Sequence, residues 1–395
     1  MSLSEDVAAT IGSYNDEMID IRRVLHARPE LSFEEVATSA LIRERLRDIG
    51  LREETCPTPT GAVFSLQGGR PGGTVVLRAD IDGLPVQELT DLSFASRVDN
   101  HMHACGHDAH TAILIGVAAA LAARAEDVAG SYLFVFQPAE ENVSGAQAMV
   151  DGGLLEGIDP VAVLGCHVAS VMPVGLVASR SGLLMAGARG LRVSVEGSGG
   201  HGALQPRRGN VVLAVSRFAD RLDRVVADLG SEGTSCVCSP GMVSAGSAPN
   251  VVPTRAVLAA TLRFFNDEQV AEAGRRLDAL AAEVAAEFGV EVAIEENFAT
   301  GPVRNDPGIT TRVLEVARGL LPSDQVLEAP GPVAASDDVS VLLDRIPGCY
   351  LMVGAGMADG SSGTHHSPTF SVDEGALAVG AKVLGAAAVE LAQPR

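Results

Sequence analysis

The chain has 395 residues, 47% hydrophobic and 20% charged, which is too long for one ordinary core and too apolar for a disordered majority. Fifty acidic residues against 29 basic ones give a net charge of -21 and exclude nucleic acid as a partner, because a phosphate-binding face needs clustered Lys and Arg and here they are scattered. Residues Met1 to Asp20 lack the basic and apolar regions of a secretory signal, and the longest apolar runs, Thr111 to Ala123 and Ala376 to Leu391, are short or broken by polar residues, so no membrane association is expected and the location is expected to be cytoplasmic.

The six cysteines show no framework spacing and are expected to be free thiols; Cys236 and Cys238, two apart on a strand, are badly placed for a disulfide. In chain order, Ile11 to Leu25 and Phe33 to Asp48 read as helices punctuated by Pro29 and Gly50. Ala62 to Leu66 and Thr74 to Ala79 read as strands, and the Gly-Gly-Arg-Pro-Gly-Gly between them as a hairpin-like turn. The second strand stays apolar until it delivers Asp80 at its carboxyl end, where α/β sheets place their sites.

Next come His101-Met-His103-Ala-Cys105-Gly-His107-Asp-Ala-His110, four of the protein's nine histidines in ten residues. Imidazole and thiolate are preferred ligands of zinc, while manganese, cobalt or nickel fill mixed nitrogen and carboxylate sites. A small glycine between Cys105 and His107 lets both converge on one point, but further donors must come from elsewhere. Asp108 to Ala123 is the helix that follows. A buried strand over Tyr132 to Phe136 then ends in Glu140-Glu141, and another over Val161 to Leu164 ends in Gly165-Cys166-His167. Taken alone, paired glutamates on a loop are an ordinary solvated turn. If these strands are parallel, however, Asp80, Glu140, Glu141 and His167 share one sheet edge with Cys105 and His107. Hydrolysis at a metal needs ligands and a separate base, and neighbouring glutamates can divide those roles.

After Gly187 the order strand, helix, strand, strand, helix, strand runs over Leu191 to Glu196, Asn210 to Val226, Ser235 to Ser244, Ala256 to Phe265, Glu268 to Phe288 and Glu291 to Glu295, like a split βαβ sandwich. It predicts a second domain over 188–298 inserted in a first formed by 1–187 and 299–395. Asp306 to Leu321 is again helical, Ser336-Asp337-Asp338 offers capping carboxylates to a further helix, and the buried strand Cys349 to Val353 leads to His365-His366, one of which is a candidate last ligand.

Arg22 to Ser32, Arg78 to Pro85, His103 to Thr111, Phe136 to Glu141, Gly199 to Gly202 and His366-Ser-Pro, in order along nearly the whole chain, together resemble the amidohydrolases of the aminoacylase, hippurate hydrolase and auxin-conjugate (IAA-amino acid) hydrolase family, relatives of the metallopeptidases. The resemblance implies an α/β catalytic domain of zinc-exopeptidase type, with a central mostly parallel sheet flanked by helices, plus an inserted α+β sandwich acting as lid and dimerisation domain. It implies two divalent metal ions, manganese or zinc with cobalt or nickel as possible substitutes, held by Cys105, His107, Glu141, His167 and His366, with Glu140 as general base and Asp80 behind the ligands. His201 corresponds to a histidine that stabilises the oxyanion, often from a partner subunit, and Asn250 to a substrate-contacting asparagine; Arg263 is a candidate partner for a substrate carboxylate. The chain departs from the family pattern in Gly202 to Asn210, one residue longer and without the second histidine the family often has there, and in Ser336-Asp-Asp where the family usually has Ser-Glu-Asp. The expected protein is thus a homodimer, or a higher oligomer, that hydrolyses N-acyl amino acids or similar small amides. A carboxypeptidase or dipeptidase is the near alternative; a Cys105 nucleophile or a non-catalytic binding protein would be the alternatives from other classes.

Overall fold

The computed structural model describes residues 2–204, 207–231 and 233–394. These residues form two compact units, the first running to Leu184 and then taking in Arg304–Pro330 and the chain from Asp338, the second comprising Met185–Val303 and Gly331–Asp337. The late return of Gly331–Asp337 to the second unit had no signal in the sequence. Gln205 and Pro206, part of the departure after His201, lie outside the described residues.

The first unit opens with α1 (Leu3–Gly12), α2 (Asn15–His26) and α3 (Val36–Asp48). The single helix expected over Ile11 to Leu25 is in fact divided at Ser13, whose hydroxyl donates to the Thr10 carbonyl at 2.6 Å and ends α1 just after Gly12. Then follow β1 (Arg52–Glu53), β2 (Ala62–Gln67), β3 (Arg70–Asp80), α4 (His107–Ala123), β4 (Ala129–Gln137), α5 (Gly145–Asp151), β5 (Pro160–Pro173), β6 (Val177–Ser179) and β7 (Gly182–Met185). The second unit carries β8 (Gly187–Glu196), β9 (Gly200–His201), α6 (Val211–Val226), β10 (Val237–Ala245), β11 (Val251–Val252), β12 (Arg255–Phe264), α7 (Asp267–Phe288) and β13 (Glu291–Thr300). Past β14 (Val303–Asn305) come α8 (Pro307–Leu320), β15 (Val326–Glu328), α9 (Ser340–Leu343), β16 (Gly348–Gly356) and α10 (Gly375–Ala392).

Eight strands form the sheet of the first unit in the order β1-β2-β4-β3-β5-β16-β6-β15, and its centre, β4-β3-β5-β16, is parallel throughout. Those strands read as nearly continuous apolar runs because both faces are covered. The hairpin expected between β2 and β3 does not form: β4 lies between them, antiparallel to β2 and parallel to β3. The Gly68-Gly69 turn bonds instead to the start of β4, Gly68 N–H donating to Gly130 O at 2.8 Å. β5 runs on to Pro173, so His167 sits within the strand rather than past its end.

α10 is long and apolar enough to cross a bilayer by composition alone, more so than the sequence reading allowed; here 72% of it is buried, packed against α1, α4 and α8. α9 is capped by no side chain: its N-cap is Val339, and Asp338 is drawn away to Arg78 and Gln137. That corrects the expectation of capping carboxylates, since a buried guanidinium outcompetes a four-residue helix for the oxygen.

In the second unit the sheet order is β10-β12-β8-β13, antiparallel, and β12 alternates buried and partly exposed residues as a one-face strand should. Its inner face packs on α6 and α7 around Phe218, Leu258 and Phe288. Asn210 caps α6, accepting from the Val212 and Leu213 amides, and Asn266 caps α7.

Candidate metal centre

Cys105, Gly106 and His107 make the entry to α4. Gly106 takes φ 92° as the N-cap, and a Cβ there would stand 2.4 Å from Val168 Cγ2, so only glycine lets the flanking donors turn inward together. The parallel register sets Asp80 beside Gln137 at the ends of β3 and β4, which brings the Glu140-Glu141 turn to the same edge.

Among the described residues several groups of ligand atoms lie within 4.8 Å of one another, and two of them are triads that share a cysteine: Cys105, His107 and His167, and Cys105, Glu141 and His366. Cys105 belongs to both. The five side chains expected as ligands are therefore brought together with the cysteine in the shared position, and Glu140 joins His107 and Glu141 in a third group. His366, at φ 66°, sets Nε2 3.4 Å from Glu141 Oε1. His365 is also beside the shared cysteine, its Nδ1 3.8 Å from Cys105 Sγ, while its Nε2 accepts the Ser170 N–H at 3.3 Å and its ring packs on Phe370.

Each histidine of the first triad has its far nitrogen committed. His107 Nδ1–H donates to Asp82 Oδ1 at 3.1 Å and His167 Nδ1–H to its neighbour's carbonyl, Val168 O, at 2.7 Å, which turns both Nε2 atoms inward as the nitrogens that could meet a cation. His107 Nε2 and Glu141 Oε1, 3.8 Å apart, are both buried without a hydrogen-bond partner. Orphaned buried acceptors are costly unless a cation sits between them, and the mixed sulfur, nitrogen and carboxylate set fits two divalent ions. Burial and the neighbouring Glu141 carboxylate push the Cys105 thiol well up, opposite to what a thiolate nucleophile needs; a cation among these donors reverses that. Burial, abetted by the Asp82 carboxylate, lifts Glu141 to about 7.

Asp80 stands behind the ligands. Its Oδ1 accepts from His110 Nδ1–H at 2.5 Å and lies 3.8 Å from His107 Nε2; its Oδ2 accepts from Arg78 at 2.8 Å. His110 takes the Val168 N–H at 2.9 Å on its other nitrogen, so it braces the site. His101 bonds to the Asp99 carbonyl and His103, buried with neither nitrogen hydrogen-bonded, lies outside the two triads, so of the four clustered histidines His107 alone contributes to them. Asp82, which sequence reasoning passed over, accepts from His107, Ser32 and the Glu141 amide. Its signal was present in Asp80-Ile-Asp82, two carboxylates two residues apart at a strand end.

The second unit holds the remaining candidates. The β9–β11 pairing sets His201 opposite Val251, next to Asn250, whose carbonyl accepts the Gly202 N–H at 2.9 Å. Arg263 on β12 donates to the Ser336 hydroxyl.

The model of peptidase family M20/M25/M40 matches residues 76–390. The chain is 34% identical to the N-acetyl-L-cysteine deacetylase of Bacillus subtilis over 94% of its own length and 88% of that protein's. It is 32% identical to thermostable carboxypeptidase 2 of Saccharolobus solfataricus, over 96% and 97%. Among solved structures, the YXEP protein of Bacillus subtilis, described as a dinuclear metal-binding peptidase of the M20 family, superimposes with a TM-score of 0.77 at 31% identity, covering 96% of this chain and 99% of that one. A shared cysteine between two donor triads, a pair of adjacent glutamates and a match along four fifths of the sequence converge on one conclusion: the chain belongs to peptidase family M20/M25/M40 and is a metal-dependent hydrolase of amide bonds.

Proposed function

We propose that the enzyme hydrolyses the amide of N-acyl amino acids or similar small conjugates to a carboxylic acid and a free amine, with manganese or zinc as the native metal. The observation that carries this reading is the pair of donor triads sharing Cys105 next to the Glu140 carboxylate. Cys105, His107, Glu141, His167 and His366 would hold two divalent cations, which would supply polarisation of a carbonyl and an easier deprotonation of water. Glu140, whose Oε1 accepts the Asp338 N–H at 3.4 Å, takes a proton from water and hands it to the leaving nitrogen. His201 accepts the Ala203 N–H on Nδ1 at 3.2 Å, which keeps its proton on Nε2 and makes that nitrogen a donor to the oxyanion. Asn250 and Arg263 recognise the amino-acid part, the guanidinium being suited to a carboxylate.

The second unit acts as lid and dimerisation surface. β10 is an edge strand without a charged residue that exposes Val237, Met242 and Val243, whereas the opposite edge, β13, carries Glu291, Glu295 and Glu296. An uncharged edge fits pairing with a second copy. The cytoplasm suits the six free thiols. A short peptide cut at its C-terminal residue is the second substrate reading, favoured by the likeness to the carboxypeptidase.

Amine release from N-acetyl-L-cysteine, N-acetyl-L-methionine, N-benzoylglycine and a dipeptide tests this, using chelator-stripped protein before and after adding manganese or zinc. Activity restored by metal and highest on an acylated amino acid is the expected result. Full activity in stripped protein, or a preference for the dipeptide, overturns the mechanism or the substrate class respectively.

A further inference from the structure

The turn that carries Glu140 and Glu141 is bent in a way its own residues oppose. Ala139 and Val143 both have φ 54°, the left-handed region that residues with a Cβ avoid. The turn closes so tightly that a Cβ on Gly145 would stand 1.6 Å from Pro138 O. Its own backbone closes it, Val143 N–H donating to Glu140 O at 2.7 Å and Gly145 N–H to Ala139 O at 3.1 Å, and three buried carboxylates hold it from outside. Asp82 takes the Glu141 amide at 3.1 Å, and Asp338 the Ala146 amide at 2.9 Å. The third is Glu35, which accepts the Ala139 N–H on Oε1 at 2.9 Å from 104 positions earlier in the chain.

Glu35 is fully buried and sits at the N-cap of α3, yet its side chain makes no capping bond to that helix. Its Oε2 accepts the Thr60 hydroxyl at 2.6 Å. A carboxylate this deeply buried is costly, and one of its oxygens is committed to the left-handed residue that directly precedes the two glutamates. We propose that Glu35 is a positioning residue for hydrolysis: by accepting the Ala139 N–H it holds the left-handed turn that aims Glu140 and Glu141. This rests on the reading of Glu140 as the group that moves the proton. Without that hold Ala139 relaxes toward negative φ and swings both carboxylates, while Cys105, His107, His167 and His366 keep the remaining donors in place.

The test is steady-state hydrolysis of N-acetyl-L-cysteine by metal-loaded enzyme, with metal content measured on the same samples. Glu35→Met keeps the volume without the acceptor; kcat is expected to fall about 30- to 100-fold, with KM within about threefold, the loss typical of a small misplacement of a catalytic group. Adding Ala139→Gly to Glu35→Met is expected to recover at least about tenfold in kcat, because glycine takes a positive φ unaided. A general packing defect would not be repaired by removing a methyl group from the turn. Turnover within about threefold of wild type in Glu35→Met, or a loss that Ala139→Gly does not recover, overturns the proposal on the same scale of positioning effects. Should Glu35→Met not fold, Glu35→Asp, one methylene short of Ala139, decides by the same two outcomes. Glu140→Gln is assayed alongside: an active Glu140→Gln overturns the reading of Glu140 and the proposal with it, whereas an inactive one beside an unaffected Glu35→Met overturns the role of Glu35 alone.

Discussion

Two clusters of buried charge in the first unit are built on opposite principles. Around Arg78 donors and acceptors are matched: Nε donates to Gln137 Oε1 at 2.9 Å, Nη1 to Asp80 Oδ2 at 2.8 Å and to Tyr350 at 3.3 Å, and Nη2 to Asp338 Oδ1 at 3.0 Å. Around Cys105 acceptor atoms converge, and His107 Nε2 and Glu141 Oε1, 3.8 Å apart, are both buried without a hydrogen-bond partner. Buried polarity is common to both, so it does not mark a site. Convergent lone pairs left over after every local partner is used do mark one, because only a cation settles them.

The comparison breaks most sharply at Arg78. Arg78→Met leaves Asp80 and Asp338 buried without their countercharge, and losing one partner of a buried pair costs about 3–5 kcal/mol. Denaturant unfolding followed by circular dichroism should show a loss of that size with or without added metal. A loss that vanishes when metal is added would mean that the network belongs to the metal centre rather than closing on itself.

A second cluster of buried charge, around His26, extends the contrast through pH; it pairs its charges, though Asp108 Oδ1 and both His103 nitrogens are buried there without a hydrogen-bond partner. His26 donates from Nδ1 to Asp108 Oδ2 at 2.8 Å and meets Glu88 Oε1 at 3.3 Å, with Arg22 and the His103 ring beside it. Burial disfavours its charge, but Asp108 and Glu88 outweigh burial and the Arg22 cation, lifting its pKa from 6.5 to about 9. Because the folded value lies above the unfolded one, the stabilisation is complete below pH 6.5 and is lost as the pH rises through about 9. It amounts to about 3 kcal/mol. Wild type should lose that much more stability than His26→Gln between pH 6 and pH 9.5, and parallel pH profiles would show that the imidazole is not charged in the fold.

The strand ends and the donors were legible in the sequence because both are local signals: apolar runs that stop at Asp80 and Glu140, and a Cys-Gly-His entry to a helix. What escaped was set by residues far apart. No local pattern in the Gly-rich turn at 68–73 announces that β4 will insert beside β3. Asp338 looks like a cap until the Arg78 guanidinium, 260 residues away, claims it. Glu35 reads as one more charge at a helix start, and its bond to Ala139 exists only once α3 lies against the turn after β4. Residue types name the chemistry, but long-range packing decides which of several carboxylates holds, which braces and which is left open.

Asp82 is where the open and the matched designs meet, and it carries the smallest of the three effects. Its Oδ1 fixes the His107 tautomer while its Oδ2 accepts both the Ser32 hydroxyl and the Glu141 amide, so one carboxylate orients two ligands. In Asp82→Asn the carboxamide oxygen can still accept from His107, but the new NH2 meets the Glu141 N–H, donor against donor. Loss of such an outer partner typically weakens metal binding about 10- to 100-fold. Competition with a chromophoric chelator should read that drop while the unfolding midpoint of the stripped protein moves little. Were affinity unchanged, the orientation of His107 and Glu141 would have to come from the matched cluster behind them, through Asp80, and the separation drawn between the two would not hold.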